Sequence, residues 1–137
     1  MIRVVLDTNV LIAAARSPHS ASRQIVAACL DGKVKAVISE ALQQEYDLIL
    51  RRALSNVPYV IQLFQLIDTC SHVEPETVLR VVPDDADDDK IVALAIAAQV
   101  DALVTSDHHL KCLHPLENIS ILSPSEMLAR FPEVQNS

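Results

Sequence analysis

The stretch VVPDDADDDKIVALA, residues 81–95, holds five aspartates within six positions (Asp84, Asp85, Asp87, Asp88 and Asp89) and then turns almost wholly small or aliphatic. Acidic side chains favour a helix N-terminus through capping and the macrodipole, worth about 0.3–1 kcal/mol each. One or two suffice for that. Capping by Asp87 or Asp88, with Lys90 relieving some repulsion, therefore accounts for part of the run, and solvated loop charge is the plainest account of the rest. Other acids change the weighting. Asp7 and Asp107 each close an apolar run, IRVVLD and DALVTSD, and Glu45 falls within SEALQQEYDLILRRAL. Carboxylates held close together repel unless they are protonated or bridged by a cation. An all-oxygen donor set suits a hard divalent ion, Mg2+ or Mn2+.

Such a site needs elements that bring the acids to one place. IRVVLDTNV reads as a short strand ended by Asp7, and LIAAA opens a helix that RSPHS breaks. Ser20 or Ser22 caps a helix through RQIVAACLD, with Gly32 as its C-terminal stop. KAVIS is a second strand. Ser39 begins the helix on which Leu42, Glu45, Ile49 and Arg52 recur about one turn apart, and PYVIQLFQLIDTC is a further helix. SHVE reads as a short strand, and Pro75 and Pro83 bracket a weakly specified connection. DKIVALAIAAQ is helical by length and alanine content, DALVTSD and NISIL are strands, and Ser123 with Pro124 starts a last helix over SPSEMLARF. Residues 1–130 form one domain, and the tail, 131–137 with PEVQNS, is expected to be disordered. Apolar strands alternating with helices predict a three-layer α/β/α architecture around a mainly parallel sheet. Ligands of such sheets bind outside the carboxyl ends of the strands, the edge to which Asp7 and Asp107 belong.

Composition narrows the class. The net charge of −7 argues against an extended basic surface for nucleic acid, although a cation-loaded site has its own local sign. Cys29, Cys70 and Cys112 contain no CxxC pair, which disfavours a zinc site or a disulfide framework and suits a reducing cytoplasm. His19, His72, His108, His109 and His114 show no HxxxH spacing, and the neighbours His108 and His109 are expected to diverge. Charged residues interrupt every candidate membrane span, and no basic-then-apolar leader opens the chain.

Taken in order, VVLDTNVLIAA, ISEALQQEY, VPDDADDDKIVALAIAAQVDALVTSDHHL and ISILSPSEML span residues 2–128. This ordered set resembles the PIN-domain family of metal-dependent nucleases, and within it the compact prokaryotic toxins of toxin–antitoxin pairs. The resemblance implies a PIN-like, Rossmann-like fold. It matches Asp7, Glu45, Asp88 and Asp107 to the four family acids that bind metal and catalyse, with Asn9 helping to hold the first and Thr105 and Ser106 in a supporting role. Asp88 ranks above Asp84, Asp85, Asp87 and Asp89 because its offset to the helix and to Asp107 fits the family pattern. Two departures stand out: Ser106 replaces a common glycine before the fourth acid, and AAQVD replaces a glycine-containing turn.

The implied activity is hydrolysis of RNA phosphodiesters with Mg2+ or Mn2+, in a cytoplasmic homodimer that also meets an antitoxin protein. Arg16, Arg23, Arg51, Arg52, Lys90 and Lys111 are available for phosphates, each more simply read as a solvated charge. Tyr46, Tyr59, Phe64 and Phe131 suit the core or a dimer contact better than base stacking, and the apolar helix around Phe64 suits the core slightly better than a dimer face. A non-catalytic PIN-like scaffold for RNA or protein is the alternative. An aspartate-nucleophile phosphatase is disfavoured by Asn9, where a second aspartate belongs, and a phospho-receiver by the lack of an acceptor aspartate after a central strand.

Overall fold

The three inner strands of the sheet are short, largely apolar runs because both of their faces are covered, whereas the edge strand Ser71–His72 is polar and only partly buried. The structure, a computed structural model, describes residues 1–75 and 86–136, the side chains of 86–89 and 136 excepted. The chain order is β1 (Ile2–Leu6), α1 (Thr8–Arg16), α2 (Ala21–Leu30), β2 (Val34–Ile38), α3 (Glu40–Leu54), α4 (Val60–Thr69) and β3 (Ser71–His72). It continues with α5 (Ala86–Ala98), β4 (Ala102–Val104), α6 (His108–Lys111), β5 (Ser120–Leu122), α7 (Pro124–Arg130) and a 3-10 turn, Pro132–Asn136.

Among the described residues the five strands are all parallel in the order β3-β2-β1-β4-β5, the middle layer of a three-layer α/β/α fold. The chain builds outward from β1 to β3 and then returns to the other side of β1. A topological switch point thus lies between β1 and β4, where sheets of this kind open a crevice. Leu6 is in register with Val104, so Asp7 and Thr105 stand side by side one residue beyond the pair. The ladder runs on into them: the Asp7 N–H donates to the Val104 carbonyl at 3.0 Å, and the Thr105 N–H to the Leu122 carbonyl at 2.9 Å.

The core is aliphatic. Val4, Val5 and Leu6 of β1 pack with Leu11, Ile25, Leu42, Leu50, Leu63, Leu66, Ile91, Leu94 and Leu103, all essentially inaccessible to water. Helix starts follow their caps. Ser20 and Ser39 accept from the N–H groups of Arg23 and Leu42, at 3.1 and 3.2 Å, and Ser123 forms a reciprocal capping box with Glu126. No helix among the described residues is long and apolar enough to cross a membrane.

Three local expectations change. The helix expected from LIAAA already begins at Thr8, so Asp7 is its N-cap residue. α6 is a single turn that hydrophobic periodicity does not announce. The tail expected to be disordered instead forms the 3-10 turn: Val134 is fully buried, and the Gln135 amide donates to the Leu128 carbonyl at 2.9 Å. One apolar residue in PEVQNS has a core site to fill, and the turn follows it in.

Candidate functional site at the switch point

Asp7 sits at the N-cap of α1 but makes no capping hydrogen bond with its side chain. Its carboxylate turns instead to Thr105, whose hydroxyl donates to Oδ2 at 2.7 Å. That same hydroxyl accepts the Asp107 N–H at 3.0 Å, so one fully buried threonine ties the ends of β1 and β4 together. Asp107 in turn caps α6, accepting the His109 N–H at 2.8 Å.

Glu45 comes from α3, which is pinned next door: the buried Tyr46 hydroxyl donates to the Leu6 carbonyl at the end of β1. With Tyr46 turned inward, Glu45 faces Asp7. Its Oε2 accepts the Thr8 hydroxyl, and its Oε1 lies 2.8 Å from Lys90 Nζ at the start of α5. Asp7, Thr8, Asn9, Glu45, Lys90 and Asp107 line one cleft of about 550 Å³, with Leu48 and Ile49 of α3 as an apolar wall.

The electrostatics follow from that crowding. Burial raises the Asp7 carboxyl above its ordinary value, and the nearby charges of Glu45 and Asp107 raise it further, while the Thr105 hydrogen bond opposes both. Asp7 is only 6 % exposed. Ionised carboxylates in this arrangement favour a cation, and the oxygen-only donor set fits a hard divalent ion. Among the described residues no three acid, imidazole or thiol groups stand close enough together to hold a metal ion by themselves.

Three of the four expected acids, Asp7, Glu45 and Asp107, thus share the cleft. The Asp88 backbone lies in the first turn of α5, and its side chain is outside the described residues, as are those of Asp87 and Asp89; Asp84 and Asp85 lie outside them entirely. Asn9 lines the cleft, but the residue that holds Asp7 is Thr105. Ser106 is exposed. Thr8 escaped the sequence reading, although it stands inside LDTN between the two residues singled out there. Of the basic candidates, Lys90 reaches the cleft. Arg23 donates to the Ala14 and Ala15 carbonyls and lies 3.5 Å over the Tyr59 ring, Arg51 covers Phe64, and Lys111 pairs with Glu126.

Comparison with known proteins adds a family and a fold. The model of the PIN domain family matches residues 3–109. Among solved structures, VapBC2 from Rickettsia felis bound to a DNA fragment from their promoter is similar at 14% identity, with 88% of this chain and 97% of that chain covered and a TM-score of 0.59. PAE2754 from Pyrobaculum aerophilum is similar at 16% identity, with 96% and 90% covered and a TM-score of 0.62. At such identities the likeness is one of fold. No curated protein matches the sequence significantly.

Proposed function

The chain belongs to the PIN domain family, whose members are generally nucleases that use divalent metals, and from that premise we propose that it is a Mg2+- or Mn2+-dependent endoribonuclease acting at the switch-point cleft. The observation that carries the reading is the gathering of Asp7, Glu45 and Asp107 around one cleft, with Asp7 buried and pressed by its neighbours' charge. The bound ion supplies Lewis-acid polarisation of the phosphoryl oxygens and an activated water.

Asp7, Asp88 and Asp107 would be its principal carboxylate donors, and Glu45 would complete the site directly or through water. Thr105 fixes the Asp7 carboxylate in one orientation and couples it to the backbone of Asp107. The Thr8 hydroxyl likewise orients the Glu45 carboxylate. Lys90 offers a positive charge beside the acids, suited to a non-bridging phosphate oxygen. Asn9 and Ser106 stand near enough in the chain to orient substrate or water. A cytoplasmic toxin with a small antitoxin partner completes the reading; its support is the family resemblance and the likeness to VapBC2. A homodimer belongs to the same reading through the family resemblance; Ile61, 62% exposed on the outer side of α4 beside Gln62 and Gln65, is available to such a contact.

The test is Mn2+ and Mg2+ calorimetry on the wild type and on Asp7→Asn, Asp88→Asn and Asp107→Asn, with cleavage of a structured RNA followed in parallel. The expected result is metal binding by the wild type and cleavage reduced at least about 100-fold in each variant. Metal binding without cleavage of any RNA would favour the scaffold reading, and no metal binding by the wild type would end the catalytic one.

A further inference from the structure

Next to the acidic cleft the chain carries a pair of donors of different chemistry. α6 is one turn long, and its first residue, His108, stands four positions before Cys112, which caps its C-terminal end. His108 Nε2 and Cys112 Sγ are 3.7 Å apart, and both residues are exposed. Among the described residues neither side chain makes another hydrogen bond. The His108 ring meets only the edge of His109, with centroids 6.1 Å apart and planes at 61°. In tetrahedral coordination, Zn–S of about 2.3 Å and Zn–N of about 2.0–2.1 Å put a thiolate and an imidazole donor roughly 3.5–3.6 Å apart. The pair already stands at nearly that edge length, with open solvent beyond it.

We propose that His108 and Cys112 form a two-donor chelate for a borderline-soft transition-metal ion, Zn2+ foremost, separate from the oxygen-lined cleft. The Nδ1–H tautomer of His108 leaves Nε2 free to ligate, the Cys112 thiol proton leaves to solvent as the thiolate binds, and water fills the remaining positions. Ligand softness keeps the two sites apart: thiolate and imidazole select Zn2+ over Mg2+, and carboxylates do the reverse. The other two thiols do not compete, because burial pushes both Cys29 and Cys70 up to about 12. The chelate closes α6 on itself. Since Asp107 caps that same turn, a bound ion also steadies the segment that carries one wall of the cleft. The pair has neither a CxxC nor an HxxxH spacing, because it joins the two residue types as HxxxC.

Co2+ is the probe, since thiolate ligation to it gives a near-ultraviolet charge-transfer band, and calorimetry with Zn2+ in excess Mg2+ gives the affinity. The intact wild-type chain is expected to bind one ion with the thiolate band, and the band is expected to survive Asp7→Asn. Cys112→Ser should abolish it, and His108→Ala should weaken binding at least about tenfold. Both positions are exposed, so circular dichroism should show the fold unchanged in each variant. A wild type with no thiolate band, a band that persists in Cys112→Ser, or wild-type affinity in His108→Ala would each overturn the proposal. Loss of the band in Asp7→Asn would overturn the separateness of the two sites. The nuclease reading stands or falls independently of all of these.

Discussion

Asp7 bears the conflict on which the cleft is built. Its carboxyl is raised in the folded chain, first by burial and then by Glu45 and Asp107, so the folded state holds its proton more tightly than the unfolded state does. Stability of the metal-free protein therefore falls as pH rises from the unfolded carboxyl value, about 3.9, through the raised folded one, and the penalty persists above it. Asp7→Asn removes that penalty and keeps an oxygen for the Thr105 hydroxyl. Thermal melts without divalent ions should show the variant melting above wild type at pH 7, with the gap closing below about pH 4. Mn2+ should raise the melting temperature of the wild type alone. A variant that melts lower than wild type at neutral pH would show that Asp7 is not under electrostatic load. Lys90 answers part of that load through Glu45. Lys90→Gln should bind Mn2+ several-fold more tightly, about 1 kcal/mol for unit charges about 4 Å apart at the dielectric of bulk water. Its KM for RNA should rise, a split that loss of a merely structural contact does not produce. Asp7, Glu45 and Asp107 were legible in the sequence because strand ends and helical spacing constrain where they fall. Thr8 was not, because a threonine after a strand-ending aspartate looks like ordinary helix-start chemistry. Among five clustered aspartates, spacing alone has no means of selecting one.

The helix ends offer a comparison built into the chain. α2 and α5 finish in the same hydrogen-bonded loop: Lys33 N–H to the Ala28 carbonyl with Gly32 N–H to Cys29, and Val100 N–H to the Ala95 carbonyl with Gln99 N–H to Ile96. Both loops need a left-handed residue, and both supply one, Gly32 at φ 82° and Gln99 at φ 51°. The AAQVD departure from a glycine turn is thus a change of residue at an unchanged backbone position. A side chain there costs roughly 1–2 kcal/mol in the left-handed region, offset in part by the lower entropy of the unfolded chain. Gln99→Gly should therefore stabilise by about 0.5–1 kcal/mol, and Gly32→Ala, where a Cβ meets no atom within 4 Å, should destabilise by a similar amount. Urea denaturation of the pair checks both signs, and a destabilised Gln99→Gly would mean that the side chain contributes contacts outweighing its strain. Strands, serine caps and the glycine stop were readable because each has a local chemical signature. α6 was not: HHLK is too short for a period, and its cap, Asp107, reads in the sequence simply as the acid that ends a strand. Nor was the docked tail, since whether Val134 is buried depends on a core site that only the assembled fold creates.

At the scale of the molecule, the order of strands and helices carried the architecture, because parallel apolar strands must be covered on both faces and joined by helices. What it did not carry is the fate of the basic residues, which depends on packing across the chain. Arg23, Arg51 and Lys111 are each engaged with carbonyls, rings or a carboxylate. Lys90 is the one cationic side chain among the described residues that line the cleft. With a net charge of −7 around it, a ribonuclease of the kind proposed would have little means of holding RNA by counterion release, and an ion in the cleft would be the main bridge to phosphate. Binding to a single strand should then fall only gently with monovalent salt: about −0.7 in log Kobs per log salt for each phosphate neutralised gives a slope near −1 for one such contact. The same binding should collapse when divalent ions are chelated. Fluorescence anisotropy of a labelled RNA at fixed Ca2+, with the RNA checked on a gel for integrity, measures both. A slope steeper than about −3, which requires more than about four phosphate contacts, would place exposed cations such as Arg16 and Arg52 on the path of the strand. The cleft would then be one stop on a longer electrostatic track, and the acidic surface would have to yield to RNA at places the gathered carboxylates do not reach.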